Sequence, residues 1–130
     1  MPNSVIIATG SYIPPAVIPN THFLENEFYG EDGQKLERSN AEIIKKLQEI
    51  TEIRERRYVS DDLNTSDIAY MAAEEALEGI DRESLDGIIV GTVTPDMQFP
   101  ATACFLQDQL GAKNAAVFDL SAACSGFAKR

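Results

Sequence analysis

Three stretches of the 130-residue chain are continuously apolar and rich in β-branched residues: Ser4-Val5-Ile6-Ile7-Ala8-Thr9-Gly10, Asp86-Gly87-Ile88-Ile89-Val90-Gly91-Thr92-Val93 and Ala115-Ala116-Val117-Phe118-Asp119-Leu120. Runs without apolar–polar alternation predict strands covered on both faces. Between them the spacing becomes helical. Ser39-Asn40-Ala41-Glu42 reads as a capping box ahead of an apolar face of Ile43, Ile44, Leu47 and Ile50. A second helix is predicted from Thr65 or Ser66 through Ile68, Ala69, Ala72, Ala73, Ala76 and Leu77, ended by Gly79. Its small residues suit close packing against a sheet. A third spans Ala101 to Leu110, with Pro100 at its start and Gly111 after its end. The order strand, helices, strand, helix, strand predicts an α/β fold with a parallel sheet and covering helices.

The remaining segments are weaker in pattern. Pro14-Pro15 and Pro19 predict an extended loop, after which Asn20 or Thr21 caps a short helix through Phe28 with His22 in its first turn. Gly30-Glu31-Asp32-Gly33 is loop chemistry. Glu52 to Val59 is charge-dense and only weakly alternating, which predicts a short exposed strand or loop. The chain ends at Ala128-Lys129-Arg130, directly after an apolar turn, and this predicts that part of the covering layer lies elsewhere.

The length suits one ordinary domain. Eleven Lys and Arg against 21 Asp and Glu leave a net charge of −10. That balance argues against nucleic acid as partner, because phosphate binding needs an excess of cations on one face. No apolar run approaches the roughly 18 residues of a membrane span. The N-terminus lacks the basic and apolar segments of a secretory signal. A cytoplasmic location is the expectation. Cys104 and Cys124 form no CxxC and His22 is the single histidine, so neither a zinc site nor a disulfide framework is expected.

Candidate chemistry concentrates in Asp119-Leu120-Ser121-Ala122-Ala123-Cys124-Ser125-Gly126-Phe127. A buried strand ends, compact residues make a tight turn, and Cys124 stands where a helix should begin. A helix start favours thiolate and lowers the thiol pKa. Its free backbone N–H groups can also donate to an oxyanion on an acylated sulfur. The layout resembles a nucleophile elbow. The alternative is that Cys124 is a small core residue, since free cysteine is among the most buried residue types. Cys104, beside Phe105 in the third helix, is expected to be core packing. His22 is distant in sequence and a weak candidate for the base that a cysteine nucleophile normally needs.

At this level of detail the chain resembles the N-terminal part of β-ketoacyl-acyl-carrier-protein synthase III, in the thiolase-like superfamily. The resemblance rests on Ile7-Ala8-Thr9-Gly10-Ser11-Tyr12-Ile13-Pro14, Ile53-Arg54-Glu55-Arg56-Arg57, Phe99-Pro100-Ala101-Thr102-Ala103-Cys104 and Phe118 through Phe127, in that order. It implies the N-terminal half of an enzyme layered α-β-α-β-α, with a mixed, mainly parallel sheet, and makes residues 1–130 one portion of a condensing-enzyme domain. It implies an acyltransferase. A cysteine takes an acyl group from a thioester, and the acyl group is then condensed with malonyl on an acyl carrier protein, with loss of carbon dioxide. Cys124 matches the nucleophile. Phe99 matches an aromatic that reaches into the neighbouring subunit's acyl pocket in a homodimer; packing ahead of Pro100 accounts for it equally well. The family's His and Asn for decarboxylation lie in the half not represented here. No cofactor or metal is implied.

The resemblance is imperfect where family members clamp coenzyme A. Their Trp, Arg and the Gly of Gly-Ile-Arg-Glu-Arg fall on Lys46, Ile50 and Glu52, and the chain has no Trp. Together with a polar insertion from Glu25 to Asn40, this favours acyl groups delivered on a carrier protein, or an unusual acyl substrate. A carrier-docking patch would have Lys45, Lys46, Arg54, Arg56 and Arg57 to draw on, although a solvated charged face accounts for them better. Hydroxymethylglutaryl-coenzyme A synthase shares the cysteine, but its glutamate has no counterpart in Thr92-Val93-Thr94-Pro95-Asp96. A non-catalytic half, serving dimerisation or carrier binding, is the remaining alternative.

Overall fold

A computed structural model describes residues 4–126. It divides into two compact units, Ile13–Ser60 and a second formed by residues 4–12 with 61–126. The strands are β1 (Ala16–Pro19), β2 (Glu55–Tyr58), β3 (Gly87–Gly91) and β4 (Ala116–Leu120). The helices are α1 (Asn40–Thr51), α2 (Thr65–Ala76) and α3 (Thr102–Leu110). β1 pairs with β2 antiparallel and β3 with β4 parallel.

In the unit Ile13–Ser60 the capping box forms as the sequence predicts. The Glu42 amide donates to Ser39 Oγ at 3.3 Å, and the Ser39 amide donates to Glu42 Oε2 at 3.2 Å. The Ser39 hydroxyl and amide hold the Glu42 carboxyl below its ordinary value. A depressed carboxyl pKa means that this contribution is full at neutral pH and is lost as pH falls through the folded-state pKa. The insertion folds into a small hairpin, with the Gly30 amide donating to the Gln34 carbonyl at 2.8 Å and the Leu36 amide to Phe28 at 2.8 Å.

Two expectations are corrected in this unit. The proline-flanked segment is a strand, not a loop: Val17 pairs with Arg57 and Ile18 with Arg56. Prolines bounding a run leave its interior amides free to pair at a sheet edge. The segment after Pro19 is a 3-10 helix over Asn20–Glu25, not a helix reaching Phe28. Asn20 does not act as its side-chain cap. Buried, it donates to Gln48 Oε1 at 3.0 Å and to the Ile53 carbonyl at 2.8 Å, and accepts from Arg56 Nη1 at 2.7 Å. It thereby joins α1 to β2.

α1 ends on Glu52 at φ 59°, in the left-handed region. A Cβ there costs about 1–2 kcal/mol, and glycine avoids it. This explains why the resemblance expects glycine at this position. Glu52→Gly is expected to stabilise the protein by about 0.5–1 kcal/mol, allowing for the extra freedom glycine gains in the unfolded chain. A denaturant midpoint that stayed put or fell would show that the turn is not strained.

The second unit holds the core: Val90, Ala103, Leu106, Leu110, Ala112 and Ala115, flanked by Ala69, Tyr70, Ala73, Leu77, Leu85, Ile88 and Val117. α3 packs on β3 and β4 and α2 packs on α3. The small face of α2 therefore receives a helix, where a sheet was expected. It also receives backbone. A Cβ placed on Gly10 would fall 2.5 Å from the Ala76 amide nitrogen and closer still to the Ala72 carbonyl oxygen. Gly10→Ala is accordingly expected to destabilise the unit by about 1–3 kcal/mol, the usual cost of overpacking. A thermal melt at the unaltered midpoint would contradict this close approach.

The first predicted strand does not form. Residues 4–10 are irregular, with Val5, Ile6 and Ile7 at 77–80% exposure. A strand exists only where a neighbour completes its ladder, and among the described residues none does so here. The parallel pair is likewise covered on one face only. Ile88, Val90 and Val117 meet the core, while the paired Ile89 and Phe118 are 60% and 51% exposed. Among the described residues, no helix is long and apolar enough to cross a membrane.

Candidate active site

β4 carries the chain to Leu120 and hands it to a tight turn. Ser121 and Ala122 are irregular, and Ala123–Ser125 form a single 3-10 turn. The Ser125 amide donates to the Ala122 carbonyl at 3.0 Å, as does the Ser125 hydroxyl at 2.8 Å, and the Gly126 amide donates to Ala123 at 3.0 Å. Compact side chains let the backbone fold this sharply. Ala123 stands at φ 45°, a left-handed conformation costing about 1–2 kcal/mol for a residue with a Cβ. The turn packs beside the end of β3, where a Cβ on Gly91 would lie 3.5 Å from the Gly126 carbonyl carbon.

Cys124 sits in this turn with its side chain exposed. Among the described residues no apolar neighbours seal it, which fits an accessible thiol better than a small core residue. The helix expected at the cysteine is a 3-10 turn as far as Gly126; Phe127 and the remaining residues fall outside the described part. Cys104 is half-buried in α3, consistent with packing. His22 is exposed in the 3-10 helix of the other unit, its ring edge-on to Phe23 at 5.2 Å.

Phe99 lies on the loop from β3 to α3 and is 87% exposed, so it does not pack ahead of Pro100. The Phe99–Pro100 peptide bond is cis. An open depression of about 520 Å³ is walled by Met97 and Phe99 from this loop, by Thr92, and by Phe118 and Ser121 from β4 and its exit. The sequence-predicted pair is thus brought to one end of one parallel sheet. Phe99 lines the depression, and Cys124 follows three residues after Ser121 on its wall.

Sequence reasoning included Asp119 in the candidate stretch but gave it no role. Its Oδ2 accepts from the Thr102 amide at 2.7 Å and its Oδ1 from the Ala103 amide at 2.9 Å. It therefore caps α3 from the neighbouring strand, where Ala101 has no side chain to do so. The signal was present, because a carboxylate inside an otherwise apolar strand needs polar partners. Asp96 does the same for α2, accepting from the Ser66 amide at 3.0 Å, while its own amide donates to Thr102 Oγ1 at 3.2 Å.

Of the five cations considered for docking, three are engaged locally. Lys45 pairs with Glu49 at 4.0 Å and Arg57 with Glu55 at 3.2 Å, and Arg56 binds Asn20 and lies 5.1 Å from the Phe23 ring centroid. Lys46 and Ile50, where the resemblance expects the coenzyme clamp, line a second open depression, of about 640 Å³, with Leu36 and Ile43.

No family model matches the chain. Among curated proteins it is 44% identical over 124 residues to a β-ketoacyl-[acyl-carrier-protein] synthase III from Geobacillus kaustophilus, and 45% identical over 127 residues to one from Oceanobacillus iheyensis. These matches cover 94% and 96% of the chain but 36% of each relative, so the chain spans about a third of their length. Among solved structures, 3-oxoacyl-[acyl-carrier-protein] synthase III from Aquifex aeolicus superposes with a TM-score of 0.76 at 36% identity, over 97% of this chain and 37% of that one. The priming β-ketosynthase of the R1128 polyketide pathway gives 0.75 at 30%, over 94% and 33%. By sequence and by fold, the chain is similar to the N-terminal part of β-ketoacyl-[acyl-carrier-protein] synthase III proteins, and its fold is thiolase-like α/β.

Proposed function

We propose that this chain is the acyl-accepting N-terminal portion of a thiolase-like condensing enzyme, with Cys124 as its nucleophile. The carrying observation is an exposed thiol in a strained turn at the end of a parallel strand, in a chain about 44% identical to synthase III relatives. The Cys124 thiolate attacks the carbonyl carbon of an acyl thioester. The resulting oxyanion collapses, the donor leaves as a thiolate that takes up the proton released when the Cys124 thiol ionised, and acyl-Cys124 remains. The backbone N–H of Cys124 would donate to that oxyanion. In the second stage, malonyl on an acyl carrier protein loses carbon dioxide. Its α-carbon attacks the acyl carbonyl, giving the β-ketoacyl product and freeing the sulfur. The groups assisting decarboxylation would come from the remaining two-thirds of such an enzyme.

Phe99, exposed beside the same turn, is the residue offered to a second copy's acyl pocket in a homodimer. A cytoplasmic location fits this reading, as does a carrier-borne acyl donor, given Lys46, Ile50 and Glu52 at the coenzyme-clamp positions. The test is intact-mass analysis of the protein after incubation with an octanoyl thioester, followed by peptide mapping. One octanoyl group on Cys124 supports the proposal. No adduct, or iodoacetamide labelling of Cys124 no faster than that of a free thiol, would overturn it.

A further inference from the structure

We propose that Asp119 is a positioning residue that holds the Phe99 loop against β4, and so governs which acyl chains fit the second copy's pocket to which Phe99 is offered. The proposal rests on the acyl-acceptor reading of Cys124.

Asp119 precedes Cys124 by five residues on the same strand and turn, and both its carboxylate oxygens are committed to the start of α3. Thr102 and Ala103, whose amides it binds, are fully buried at 0% exposure, so water does not compete for these bonds. Charge-assisted bonds of this kind are the stronger class. Phe99 lies three residues before Thr102. The opposite end of its loop is fastened too, because the Asp96 amide donates to Thr102 Oγ1 and Asp96 Oδ1 accepts from Ser66 at the head of α2. Residues 96–102 are therefore tied at one end to β4 and at the other to α2. Met97 and Phe99 from this loop face Phe118 and Ser121 from the strand across the same depression. Where Phe99 is presented to the second copy's acyl pocket thus depends on the Asp119 carboxylate. A short acyl group does not reach Phe99. A long one meets it, and displacement of about 1 Å can cost up to two orders of magnitude in rate.

Asp119→Asn keeps the size of the side chain but retains one acceptor for two amides. The rate of transfer to Cys124 should be measured with acetyl and octanoyl N-acetylcysteamine thioesters at a temperature where both proteins are folded. The expected result is acetyl transfer within about threefold of the unaltered protein and octanoyl transfer slowed about tenfold or more. Asp119→Glu, which keeps both acceptor oxygens but displaces them by one methylene, is expected to lower the octanoyl-to-acetyl ratio in the same direction, and it carries the test should Asp119→Asn fail to fold. An unchanged ratio, whether both rates hold or both fall together, would reduce Asp119 to a stabilising cap and overturn the proposal. No acyl group on Cys124 of the unaltered protein would instead bring down the acceptor reading beneath it.

Discussion

Cys124→Ala is expected to abolish octanoyl attachment, and Cys104→Ala to leave it within about twofold of the unaltered protein. The asymmetry follows from placement. Both are free cysteines, but Cys104 is half-buried in α3 and Cys124 is exposed in the turn after β4. Only a sulfur reached by solvent can be reached by a thioester, and covalent transfer needs that atom itself, so its loss is all-or-none and not graded. The measurement is intact mass with peptide mapping, paired with a melting curve to confirm that each variant folds. Retained acylation in Cys124→Ala, or its loss in Cys104→Ala, would place the nucleophile elsewhere. Ala123→Gly sharpens the comparison. Glycine relieves the left-handed strain at φ 45° and leaves the sulfur in place. Acylation that survives in this variant would show that the turn's geometry, and not its stored strain, presents the thiol.

Leu106→Ala is expected to destabilise the protein by about 2–5 kcal/mol, the range for deleting a buried leucine side chain. Against the total of about 5–15 kcal/mol typical of a domain, this is a large share. The core explains why the upper part of the range is reasonable. Of its six buried apolar residues, Ala103, Ala112 and Ala115 are alanines, so Val90, Leu106 and Leu110 supply most of its bulk. Few side chains are available to collapse into the space, and the penalty grows with the cavity that remains. Val93→Ala, at a residue 61% exposed, is the matched control and should change stability by less than about 0.5 kcal/mol. Chemical denaturation read at constant slope compares the two. Equal losses would mean that the structure misplaces the core.

Local features were legible to within a residue or two. α1 begins where Ser39 and Glu42 satisfy each other's amides, and α3 ends where Gly111 turns left-handed at φ 69°. Both depend on residues within four positions of each other, and such rules are written directly in the chain. The strand–turn–cysteine order was legible for the same reason, because β4 is a short β-branched and aromatic run and the residues after it are compact. The strand at residues 16–19 was not, since its proline borders look like a loop until β2 is laid beside it.

Everything that required a distant partner lay beyond such reading. Whether residues 4–10 pair, whether Ile89 and Phe118 are covered, and where the charge of Asp119 is neutralised all depend on groups far along the chain. Asp119 finds its amides 16 and 17 residues away. Sequence pattern states how much apolar surface a segment must bury and how its nearest amides are satisfied. Chain folding in space selects which segment supplies the other half of each contact, and for this protein that selection places Phe99 and the Cys124 turn at the same end of one sheet.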